Sequence, residues 1–197
     1  MKRIGSVLLC CIGVSAIAAS AALAGNGNGT PNPNQVAAHQ CTTDLHAMGA
    51  KAFKSLYGDP PKGKHAMQNC QRQHGKSAHN ISNNAAQQCK AEQADPNFAA
   101  SHGGMTFDEF YGTNHNDRNS FGKCVSGKVN AAVAQQDENV QNAAQQCRAE
   151  RGDPDFAASH DGKSFTDFYG TNRNKKKAFG KCVSQKAKAQ GSTPPTP

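Results

Sequence analysis

The sequence predicts an all-α protein built of tandem small helical modules, each stapled by its own disulfide, between disordered tails. Three observations carry this. Residues 84–126 and 142–184 align without a gap at an offset of 58 and are identical at 29 of 43 positions. A divergent third copy lies upstream, where Phe53, Tyr57, Gly58 and Cys70 match Phe107, Tyr111, Gly112 and Cys124 at an offset of 54. Finally, only 36% of the 197 residues are hydrophobic and 6% aromatic, tryptophan is absent and the mean hydropathy is −0.72. One large core cannot be made from that composition, so each small cluster needs covalent help to stay folded.

In chain order, Lys2 and Arg3 precede a run of apolar and small residues from Ile4 to Leu23, and Ala22-Leu23-Ala24 offers small residues where signal peptidase needs them. Residues 1–24 therefore read as a cleaved signal peptide, and the rest as a secreted chain, extracellular or associated with the cell envelope. The run is rich in Ala, Gly and Ser, which makes a poor membrane span, and no later stretch is apolar enough to serve as an anchor. Gly25 to Gln40, with Asn-Gly-Asn-Gly and Pro-Asn-Pro-Asn, reads as a disordered linker. Repeat 1 is placed at 41–80, repeat 2 at 81–139 and repeat 3 at 140–188. Residues 189–197 read as a disordered Pro/Thr tail.

Removing the signal leaves six cysteines, none in a C-x-x-C pair, and an even number in an exported chain implies disulfides. Pairing Cys41 with Cys70, Cys89 with Cys124 and Cys147 with Cys182 is simplest, because each duplicated unit then carries its own staple. Bridges between neighbouring copies would leave Cys41 and Cys182 to find each other across the molecule. A bridge closing a loop of about 30 residues contributes roughly 3 to 4 kcal/mol in the chain-entropy model. Cys41 lies 29 residues before Cys70, against 35 in the other copies, so repeat 1 lacks six residues, assigned to the D-P-x-F-A-A segment.

Within a repeat, Asn84 to Glu92 are helix formers ended by Asp95-Pro96. Thr106-x-x-Glu109 and Ser164-x-x-Asp167 match the capping-box pattern and open a short helix carrying Phe107, Phe110 and Tyr111 at i, i+3 and i+4; Gly112 and Gly170 stop it. Phe121, Cys124, Val125, Val129, Ala132 and Val133 then form one stripe of an amphipathic helix that can run on into the next N-A-A-Q-Q-C.

The frame F-x-x-x-Y-G-T-N-x-N followed by F-G-K-C-V-S, with C-[KR]-A-E upstream, resembles repeats of small exported proteins of actinobacterial type. The resemblance covers Cys41 to Ser184; repeat 1 departs from it with Tyr57-Gly58-Asp59-Pro60, which has Asp-Pro where Thr-Asn is expected. It implies export and repetition, and transfers no catalytic residue, cofactor or substrate.

Tests for chemistry return little. His102 and His160 with Asp95 and Asp153 are better read as loop and capping residues than as a duplicated metal site, because disulfides consume the thiols. Asn114-x-Asn116 meets Arg118 where a calcium loop needs an acid. No G-x-S-x-G, H-E-x-x-H or nucleotide-binding glycine loop is present, and Asp108 and Glu109 point apart as helical neighbours. No catalytic residue, metal or cofactor is assigned. The formal net charge of +8 is densest around Arg173, Lys175, Lys176, Lys177 and Lys181, the candidate anion-binding patch. The pairs Phe110-Tyr111 and Phe168-Tyr169 are expected mainly in the cores. The tyrosine hydroxyls and following turns, Tyr111, Thr113 and Asn114 with Tyr169, Thr171 and Asn172, are the candidate contact surface. The sequence thus points to a secreted, non-enzymatic extracellular structural or interaction module whose partner is an anionic cell-envelope polymer or another extracellular protein. The rivals are a basic binder of anionic polymer or nucleic acid and, with no constellation in its favour, a small secreted enzyme.

Overall fold

The computed structural model describes residues 31–171 and 173–191, and the expected signal peptide, the first part of the expected linker (25–30) and the end of the C-terminal tail lie outside these. Among the described residues the chain forms helices α1 (Pro33–Met48), α2 (Ala50–Tyr57), α3 (Ala66–Gln93), α4 (Phe98–Ser101), α5 (Phe107–Tyr111), α6 (Ser120–Gly152), α7 (Phe165–Tyr169) and α8 (Ala178–Gly191), with no strand. The cysteines pair within repeats: Cys41 with Cys70, Cys89 with Cys124, and Cys147 with Cys182, at Cα separations of 5.9, 6.0 and 6.0 Å.

Neighbouring repeats share helices. α3 carries Cys70 of repeat 1 and Cys89 of repeat 2, and α6 carries Cys124 and Cys147 without a break at Asp137 to Asn139. The short helices are set by their caps. Thr106 and Glu109 form a complete capping box on α5, and Ser164 Oγ accepts from the Asp167 N–H on α7. In each repeat the aromatic pair at i and i+4 of the short helix packs at the same 5.0 Å between ring centroids: Phe53 with Tyr57, Phe107 with Tyr111, Phe165 with Tyr169.

Two expectations need correction. Residues 33–40 are helical rather than disordered, because Asn32-Pro33 is a helix start: Pro33 occupies the first turn and Asn32 and Gln35 close a capping box. That turn buries Val36 and Ala37 against Ala78 and, from repeat 2, Ala85, Val125, Val129 and Val133. At the other end α8 runs to Gly191, past the boundary set at 188.

The repeats also do not stand as a row of self-contained beads. Repeat 1 shares one apolar cluster with repeat 3, in which Met48, Phe53, Tyr57 and the Cys41–Cys70 bridge pack with Ala143, Ala144, Phe179, Val183 and the Cys147–Cys182 bridge. The missing segment supplies the reason. Repeats 2 and 3 cover their short helix with Phe98 and Phe156, each buried, whereas repeat 1 has no counterpart and its short helix takes cover from α8. Leu56 fits where Gly180 has no side chain; a Cβ there would stand 3.0 Å from Leu56 Cβ and Cδ2. Arg148 completes the seam by donating from Nη2 to the Ala47 carbonyl.

Candidate functional site

Beside every disulfide the fold assembles a carboxylate, a tyrosine and a basic residue. The carboxylate stands three residues after the first cysteine (Asp44, Glu92, Glu150) and the basic residue four after the second (His74, Lys128, Lys186). Tyr57 donates to Asp44 Oδ2 at 2.6 Å, and Tyr111 and Tyr169 donate to Glu92 and Glu150 at 2.8 Å. The basic residue closes the group, with Lys128 and Lys186 at 2.7 Å and His74 Nε2 at 3.0 Å from the acid. Burial, then the hydrogen bond and charge of the glutamate, push the Tyr111 and Tyr169 phenols up to about 12. Burial tends to raise the Glu92 carboxyl, but the bonds from Lys128 and Tyr111 outweigh it and hold the group below the usual carboxylate range. These are locks on the fold. Sequence reasoning misses them, although an acid at +3 and a base at +4 in all three copies is the signal that could have found them.

The candidate contact turns are correspondingly occupied. The Tyr111 and Tyr169 hydroxyls face inward onto glutamates, and Thr113 is held by Asn119, whose Nδ2 donates to Thr113 Oγ1 at 2.8 Å. The Asn114 carbonyl accepts from the Asp117 N–H at 3.0 Å, Thr171 is exposed, and Asn172 lies outside the described residues. The cationic patch is also divided. Lys175 makes an ion pair with Asp167, Arg173 and Lys176 are exposed, Lys177 is half-buried, and Lys181 faces a different region, the seam with repeat 1.

What the fold does present is an aromatic face, in two copies. The His102 ring stacks on Phe98 at 3.8 Å and 6°, and Phe110 meets its edge at 4.6 Å and 71°. In repeat 3 His160 stacks on Phe156 at 3.8 Å and 7°, with Phe168 at 4.6 Å and 76°. Each imidazole is fixed by its own backbone: Nδ1 donates to the Phe98 carbonyl at 2.9 Å and to that of Phe156 at 2.8 Å. Phe110 and Phe168 remain 41% and 44% exposed, contrary to the expectation that both members of each pair lie in the core. On a five-residue helix Phe107 and Tyr111 share the inward side, so the residue between them on the stripe is left at its margin.

Cys41, Cys70 and His74 come within 4.8 Å of one another, but the bonded cysteines have no thiolate to offer a metal. No described helix is long and apolar enough to cross a membrane. No protein-family model, curated protein or solved structure matches this chain.

Proposed function

We propose that the chain is a secreted, non-enzymatic interaction module that grips an extracellular partner through its two aromatic–histidine faces. The duplicated trio Phe98-His102-Phe110 and Phe156-His160-Phe168 carries this reading, because the second copy reproduces the ring geometry of the first and leaves the same phenylalanine outside. In a chain so poor in aromatics, exposing two of them forgoes core packing. In repeat 1 the equivalent residue, Leu56, is half-buried against Gly180 of repeat 3. Buried aromatic anchors dominate interface energetics, and two linked weak contacts bind far more tightly than either alone.

The test is co-sedimentation of the purified chain with the envelope fraction of its producing cells, comparing wild type with Phe110→Ala, Phe168→Ala and the double variant. Losing one anchor worth about 1.4 kcal/mol weakens binding about tenfold, and losing both abolishes it, with little dependence on salt. A double variant that binds like wild type overturns the reading. The basic-binder alternative draws on the exposed Arg173 and Lys176. It predicts retention that collapses on going from about 0.05 to 0.5 M salt and is lost in R173Q/K176Q, with the phenylalanines irrelevant.

A further inference from the structure

Helices α1, α2, α3, α6 and α8 converge at the seam between repeats 1 and 3 around a cleft of about 610 Å³. Small-molecule sites commonly enclose about 300 to 1,000 Å³, with an apolar wall and a few convergent polar groups. Leu56, Val140 and Val183 give this cleft its apolar wall.

Gln40 is its most telling residue. Every repeat has glutamine immediately before its first cysteine, and Gln88 and Gln146 are exposed, so their amides are hydrated at no cost. Gln40 is only 5% exposed. Its Nε2 donates to Gln136 Oε1, while its own Oε1 is buried without a hydrogen-bond partner. An unpaired buried carbonyl is costly, and a donor placed in the cleft would recover that cost.

The charges around it decide what else that donor carries. Both cleft carboxylates are matched to histidines, Asp44 to His74 at 3.0 Å and Asp137 to His39 at 2.7 Å, and Asp44 also accepts from Tyr57. Lys181 takes part in no described ion pair, so its ammonium is open to an anion on the α8 side of the cleft. A ligand complementary to this arrangement is neutral and donating at Gln40 and anionic at Lys181. We propose that the cleft binds a sugar acid of one or two rings, one hydroxyl donating to Gln40 Oε1 and the carboxylate accepting from Lys181 Nζ. The apolar ring face would lie on Leu56 and Val140.

Isothermal titration of the full chain with D-glucuronate, with a glucuronate-containing disaccharide and with D-glucose tests this. Saturable binding of at least one acid is expected, with glucose at least about tenfold weaker because it leaves Lys181 unmatched. Gln40→Leu and Lys181→Gln should each weaken the acid about tenfold, while F110A/F168A leaves it unchanged, which separates this site from the aromatic faces. Gln40→Leu alters a buried position, so Lys181→Gln, on a half-buried side chain, is the control that does not disturb packing. Absence of saturable binding by either acid, glucose binding as tightly as the acids, or wild-type affinity in both variants overturns the proposal.

Discussion

Tyr57, Tyr111 and Tyr169 are the chain's three tyrosines, and all three donate to a carboxylate beside a disulfide. Their ordinary value is 10.0; Tyr111 and Tyr169 are pushed up to about 12, and Tyr57 further still, by burial first and then by the charge and bond of Asp44. Ultraviolet titration should therefore show almost no phenolate at pH 10, two groups ionising near 12, and the third only on unfolding. A phenol whose folded value is raised favours the neutral form, so its contribution is complete below 10 and is lost as pH climbs from 10 toward 12. Normal ionisation at pH 10 would rule the locks out. Glu92 works in the opposite sense: its lowered value gives stability above the usual carboxyl range that is lost in acid, and Glu92→Gln should flatten that acid limb. Little of this is legible in the sequence. The stripe Phe107, Phe110, Tyr111 is visible there, but which member stays outside depends on Phe98 and His102 arriving from α4, a contact that helical periodicity does not encode.

Among the elements, those governed by local rules are the readable ones. The capping pairs at Thr106 and Ser164, the stops at Gly112 and Gly170 and the unbroken run of α6 all follow from neighbours within a few residues. The start of α1 obeys the same rules, yet Asn32-Pro33 sits in a stretch whose composition suggests disorder, and composition masks the cap. Thr106→Ala should cost about 1 kcal/mol in urea unfolding, the usual value of an N-cap. The glycines of the longer helices give a sharper contrast. Gly127 in α6 has nothing within 4 Å of the point where an alanine methyl would stand, so Gly127→Ala should stabilise by about 0.5 to 1 kcal/mol. Gly180→Ala presses on Leu56 and should instead destabilise, by about 1 to 3 kcal/mol. Equal effects at the two positions would mean that α2 does not rest on α8.

For the whole molecule, the shared helices and the cluster joining repeats 1 and 3 make the stability collective. Urea unfolding followed by helix signal and by tyrosine fluorescence should give one coincident transition, whereas independent beads would melt separately. Replacing Cys41 and Cys70 together by serine should cost about 2 to 5 kcal/mol and lower the stability reported from repeat 3 as well, since the bridge lies in their common cluster. The staples themselves are legible in the sequence, because duplication fixes one cysteine pair per copy. The docking of first repeat on third is not, because it depends on which face the missing segment leaves bare. That arrangement has an effect on synthesis. Leu56 emerges from the ribosome more than a hundred residues ahead of Gly180, so a nascent chain holds its first repeat open until α8 arrives to shut it.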